Sequence, residues 1–172
     1  MYKMNLAVAL CLVAALTLCA QGQTKPAQSY TNKYQNIEIT RFDVKAGIDF
    51  PPEYLTEMMK DIANQLQDTH KFKQVARPGE TLTDTNAPTI RLMGTVIKYQ
   101  KGSRTKRWLA GPFGGKTKIV AHIKFLDAAT GAVLLEKDVD GKVIIGVLGG
   151  ESEGATNGVA KEIAKETKKA FF

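Results

Sequence analysis

Three carboxylates stand at alternate positions of "EKDVD": Glu136, Asp138 and Asp140. Successive residues of a strand face opposite ways, so this spacing puts all three on one face. Such a row could meet a cation or supply a general acid/base pair, but a solvated face behind Val133, Leu135 and Val139 accounts for it more simply. Histidine, the commonest proton carrier, occurs twice. His122 falls on the polar face of its strand beside Lys118 and Lys124, and His70 closes a helix. Neither has an acidic or cysteine partner nearby in sequence, so both read as solvated surface residues. If the strands around 118–127 and 133–142 pair, the carboxylates can match Lys118, His122 or Lys124 across them, at about 0.2–1 kcal/mol per pair. A hydrolase using His122, Asp138 and Asp140 is the least supported reading. No HExxH, GxSxG or metal-ligand cluster occurs, and no catalytic residue, metal or cofactor is expected.

"GPFGGKT", residues 111–117, resembles half of a phosphate loop but lacks the GxxxxGK[ST] spacing. It also leads into an alternating strand, whereas a phosphate cradle needs a helix N-terminus there. Its wider context, "GSRTKRWLAGPFGG", carries Arg104, Lys106 and Arg107, the only tryptophan, Trp108, and Phe113, with Lys116 next. From Thr85 to Leu126 there are nine basic residues and no Asp or Glu, within a chain of net charge +7. These residues read as a binding loop: Arg104, Lys106, Arg107 and Lys116 supply charge, Trp108 and Phe113 apolar contact, and Gly102, Gly111, Gly114 and Gly115 the turn. The bland reading is a solvated hairpin connection. Stacking and phosphate contact would suit nucleic acid, but export argues against that partner. The expected partner is an acidic envelope component: anionic headgroups, an acidic polymer or an acidic protein surface.

Export is expected from the N-terminus, where Lys3 precedes an apolar run from Leu6 to Leu18. That run suits a signal peptide over residues 1–20 and is short of the roughly 20 residues that span a bilayer. Both cysteines, Cys11 and Cys19, lie within it. Cys19 is a candidate for lipid attachment, although bulky Leu18 stands where a small residue is usual. Residues 21–36 are polar and aperiodic and read as a flexible leader. Residues 37–172 then form one domain, long enough to bury a core without disulfides. The expected location is the periplasm or the outer membrane of a Gram-negative bacterium, with membrane contact only through a lipid anchor or surface.

The elements that would position these groups follow from periodicity. "IEITRFDV" predicts a strand over 37–44, and Leu55, Met58, Met59, Ile62, Ala63 and Leu66 recur at helical spacing after Pro51 and Pro52. "FKQVA" predicts a short strand. Ile90, Leu92 and Val96 share one face of the next strand, and Ile119, Ala121, Ile123 and Phe125 one face of the one after. Asp127, Thr130 and Gly131 form a turn in "DAATGAV". Val133, Leu135, Val139, Val143 and Ile145 align on the last strand, and Val159, Ile163, Thr167 and Ala170 line a terminal helix. The order strand-helix-strand-strand-strand-strand-helix predicts an α+β fold: a mostly antiparallel sheet of about five strands with two helices packed on one face.

The stretch "GSRTKRWLAGPFGGKTKIVAHIKFLDAATGAVLLEKDVDG" resembles an uncharacterised family of bacterial envelope proteins, the domain of unknown function DUF4410. The resemblance lies in a glycine followed by spaced arginines, an aromatic, a Gly-Phe-Gly-like turn and Asp-Ala-Ala-Thr-Gly-Ala-Val-Leu. Pro112 interrupts the usual glycine-to-phenylalanine step, and Leu18 departs from the lipid-attachment pattern. The resemblance implies an exported or lipid-anchored envelope domain, and with no catalytic motif in the chain the leading reading is a non-catalytic one. By analogy of element order it also implies a structural subunit of an envelope assembly, or a pore-associated homo-oligomer, as the alternative function.

Overall fold

The computed structural model describes residues 30–101, 117–142 and 153–172, of which Lys142 and Glu153 contribute backbone only. The elements are β1 (Asn36–Ile39), β2 (Asp43–Val44), α1 (Pro52–Gln67), β3 (Gln74–Ala76), β4 (Thr89–Gln100), β5 (Lys118–Asp127), β6 (Val133–Lys142) and α2 (Glu153–Phe171). The fold is α+β, as the periodicity predicts. The sheet runs β3-β1-β4-β5-β6, with the two residues of β2 also pairing with β4. β3, β1, β2 and β4 are mutually parallel where they pair, and the long β4-β5-β6 meander is antiparallel.

The strand expected over 37–44 is two strands on one edge of β4. β1 pairs with Thr89–Leu92 and β2 with Thr95–Val96, and between them the chain turns Phe42 into the core at 1% exposure. Its ring lies against Gly94, where any Cβ would collide with it. Gly94 thus makes room for the side chain that breaks the strand, an alternation pattern cannot reveal this.

Both helices cover one face. α1 starts after Pro51, whose fixed φ suits a helix entrance, and buries Met58, Met59, Ile62, Ala63 and Leu66. α2 buries Ala155, Val159, Ala160, Ile163 and Phe171. The Thr156 hydroxyl donates to Asp61 Oδ2 at 2.8 Å and links the two helices. Ile90, Leu92, Val96, Ile119, Ala121, Ile123 and Phe125 meet them from the sheet, each fully buried. At about 25 cal/mol per Å² of apolar surface, this single core is the main stabilising term.

Two register shifts re-aim side chains. Val96 pairs with Ala121 but Lys98 with Val120, so Ile97 is an extra residue and Tyr99 turns to the helix side. There its ring meets Phe50 at 5.1 Å and Tyr54 at 6.2 Å. The second shift sets Phe125 opposite Leu135 but Leu126 opposite Val133. Val133 therefore leaves the core row in which its spacing placed it and is 46% exposed. Val143 and Ile145 lie outside the described residues.

The fold takes in more of the N-terminal segment than its polar composition suggests. From Tyr30 the expected leader is packed: Tyr34 is 2% exposed, with its ring 5.9 Å from that of Phe171, and the Asn32 N–H donates to the Phe171 carbonyl at 2.8 Å. The expected signal peptide and Cys19 lie outside the described residues, among which no helix is long and apolar enough to cross a membrane.

Candidate functional site

The sheet face opposite the helices carries Arg91 of β4, Lys118, His122 and Lys124 of β5 and Glu136, Asp138 and Asp140 of β6, whereas Lys137 of β6 faces α2 and reaches Glu166. Pairing β5 with β6 sets His122 opposite Asp138, Lys124 opposite Glu136, and Lys118 opposite Lys142 with Asp140 one step away. The contacts follow: Lys118 Nζ to Asp140 Oδ2 at 3.2 Å, and Lys124 Nζ to Glu136 Oε1 at 2.9 Å. His122 takes both neighbouring carboxylates, with Nδ1 2.7 Å from Asp138 Oδ1 and Nε2 2.9 Å from Glu136 Oε1. A ring bonded to carboxylates through both nitrogens must donate from both, so the imidazolium is favoured. The Asp138 bond, then the Glu136 bond, raise its pKa above 6.5. Lys124 and His122 in turn lower that of Glu136.

This ladder has a definite chemical limit. A general base needs a free nitrogen facing substrate, and His122 has none in this arrangement. Among the described residues no group of three or more His, Cys, Asp or Glu side chains is disposed to hold a metal ion. The sequence shows no acidic neighbour for His122, because its partners are 14 and 16 residues away.

At the loop end of the sheet, Gln100 and Lys118 form the last β4-β5 pair. The intervening loop is outside the described residues, and with it Arg104, Lys106, Arg107, Trp108, Phe113, Lys116, Gly102, Gly111, Gly114 and Gly115. Its base is described: Thr117 is buried, and the Phe50-Tyr54-Tyr99 cluster lies under the end of β4. Burial, then the nearby Tyr54, Asp49 and Glu53, raise the Tyr99 pKa.

The charges along the basic stretch divide into two groups. Arg91 pairs with Glu38 at 3.1 Å, and Lys118 and Lys124 pair with Asp140 and Glu136. Lys98 and Lys101, nearest the loop, are exposed and make no ion pair among the described residues.

At the other end of the β5-β6 hairpin, Asp127, Thr130 and Gly131 build the connection. Asp127 Oδ1 accepts the N–H groups of Ala129 and Thr130 at 3.1 and 3.0 Å, and Gly131, at φ 70°, donates its N–H to the Asp127 carbonyl at 2.8 Å. A positive φ favours glycine there. Asp127 Oδ2 accepts from the Tyr34 hydroxyl at 2.9 Å and from Lys33 at 3.4 Å. Burial would raise this carboxyl, but the bonds from Thr130, Tyr34 and Lys33 hold it down at about 2. The turn is thereby tied to the N-terminal segment, a link with no local signature.

The family model of the domain of unknown function DUF4410 matches residues 43–150, from β2 through β6 and including the basic loop. The chain belongs to this family. Solved structures share the fold at low identity. A PelC dodecamer from Paraburkholderia phytofirmans is 14% identical, with 81% of this chain and 91% of that chain covered and a TM-score of 0.53. Protein XCC0632 from Xanthomonas campestris is 13% identical over 83% and 89% of the two chains, with a TM-score of 0.54. The hypothetical protein CT253 from Chlamydia trachomatis is 9% identical over 80% and 98%, with a TM-score of 0.53. No curated protein matches the chain.

Proposed function

We propose that the chain is a non-catalytic exported protein of the bacterial envelope that holds an acidic partner or surface through the 102–116 loop. One observation carries this reading: the sheet cations Arg91, Lys118 and Lys124 are matched by carboxylates, whereas Lys98 near the end of β4 and Lys101 beyond it lead unpaired among the described residues towards a loop with four more cations. A matched sheet face contributes little field at a distance, so the excess positive potential is focused at the loop end. Trp108 and Phe113 add apolar contact suited to a wet interface. Replacing Arg104 and Arg107 by Glu should abolish retention on envelope material at low salt and leave the circular dichroism unchanged. Retention that survives both changes refutes the reading.

The second reading, a structural assembly subunit, is favoured by the PelC structure, which shares this fold and is a dodecamer. The glycine-rich 146–158 segment and α2 would then pack against a neighbouring copy. Sedimentation of the chain at high concentration tests this, and a clean monomer speaks against it.

A further inference from the structure

A groove of about 320 Å³ opens between α1 and the segments that follow β1 and β3. Its apolar lining comes from Leu55 and Met59 on α1 and from Pro78, and its charged lining is entirely cationic: Arg41, Lys60 and Arg77. Among the described residues no carboxylate lines it. Arg41 and Lys60 are exposed and make no ion pair among the described residues, and the Arg77 guanidinium donates to the neutral Oδ1 of Asn64 at 3.1 Å. Glu80, close to Arg77 in sequence, instead accepts the Arg77 backbone N–H at 2.9 Å and lines a separate cavity beside Asp127. Several cations on the sheet are matched by acids, including Lys137, whose ammonium reaches Glu166 at 2.9 Å. What sets the groove apart is that three cations without an acidic partner among the described residues stand around one apolar lining.

The chemistry of that combination is specific. Two guanidiniums and an ammonium suit one anionic head, because arginine presents a planar fork of donors to a carboxylate or phosphate. Leu55, Met59 and Pro78 beside them suit a hydrocarbon. The volume lies near the lower end of ligand sites, roughly 300–1,000 Å³, which favours a single chain over two. We propose that this groove binds a single-chain anionic amphiphile of the fatty-carboxylate class, with the carboxylate between Arg41, Lys60 and Arg77 and the first methylenes on Leu55, Met59 and Pro78. The proposal does not depend on the 102–116 loop.

Calorimetric titration of the full chain with dodecanoate, below its micelle-forming concentration, tests it. Saturable one-to-one binding is expected, weakened at least tenfold in Arg41→Gln/Lys60→Gln and unchanged in Arg104→Glu/Arg107→Glu. Shortening the chain should weaken binding by about fourfold for each methylene that contacts the groove, the factor given by ~0.8 kcal/mol per buried CH₂. Because Arg41 and Lys60 are exposed, the groove variant should keep its urea midpoint; Lys60→Glu alone provides a second variant with the same expected loss. The proposal is overturned by an absence of saturable heat, by equal binding of an uncharged alkyl glucoside of the same length, or by tighter binding of inorganic phosphate or an acidic peptide. It is equally overturned if affinity falls in the loop variant and not in the groove variants.

Discussion

Gly94→Ala isolates the packing that splits the first strand. Two effects oppose each other. The backbone at Gly94 is ordinary, so alanine brings a gain of about 0.5–1 kcal/mol from the lower chain entropy of the unfolded state. Against this, the new methyl would occupy the space of the Phe42 ring, meeting Cε2, Cζ and Cδ2 together. Phe42 is 1% exposed and has no solvent into which to retreat, so the ring or the sheet must shift. Overpacking of this kind costs about 1–3 kcal/mol, and the net loss should be about 1–2 kcal/mol. For a chain of this length that corresponds to a fall in Tm of roughly 2–4 °C per kcal/mol. Urea unfolding should show a lower midpoint at unchanged slope. Phe42→Ala alone should cost about 3–5 kcal/mol through the cavity it leaves. In the double variant the Gly94→Ala cost should vanish, because the methyl enters that space, giving a coupling of about 1–3 kcal/mol. A Gly94→Ala cost below ~0.5 kcal/mol, or the same cost with and without Phe42, would refute the reasoning.

Gly141→Ala should destabilise by a similar ~1–3 kcal/mol, because the methyl would strike backbone atoms of α2: the Ala155 carbonyl oxygen and, at 2.6 Å, the Val159 nitrogen. Unlike Gly94→Ala, no single side-chain deletion should rescue it in urea unfolding. His122 makes stability pH-dependent: its folded-state pKa is raised above 6.5, so its contribution is fully present below pH 6.5 and is lost as pH rises through the raised value. His122 is a third exposed, so the loss is on the order of 0.5 kcal/mol, and His122→Gln should flatten the profile over that window. Asp127→Ala should cost about 1–2 kcal/mol in urea unfolding, since the N–H groups of Ala129 and Thr130 and the Tyr34 hydroxyl lose their acceptor.

The alternation of Ile119, Ala121, Ile123 and Phe125 and the 3.6-residue recurrence of Met58, Ile62 and Leu66 are direct consequences of which face meets the core, so those elements are legible in the sequence. What escapes a one-dimensional pattern is set by partners distant along the chain. Phe42 breaks its strand because Gly94, 52 residues later, leaves room for a ring. Val133 misses the core because a register shift intervenes, and periodicity assumes that none does. The helix-side tyrosine cluster depends on the other shift, without which Tyr99 would face outward. Among the candidate site residues, the carboxylate row is legible in the spacing of Glu136, Asp138 and Asp140, but its meaning comes only from β5.

That pairing bears directly on where recognition can occur. Alternating cations and anions across β5 and β6 satisfy one another, so a charged ligand approaching this face would have to displace contacts already made at 2.7–3.2 Å. Surface pairs of this kind are individually worth less than about 1 kcal/mol, but their geometry leaves neither sign in excess. Lys98 and Lys101 beside the loop and Arg41 and Lys60 at the groove make no ion pair among the described residues and can meet an anion without first giving one up. Selectivity between those two places would then turn on what accompanies the negative charge: a broad acidic surface at the loop, an alkyl chain at the groove.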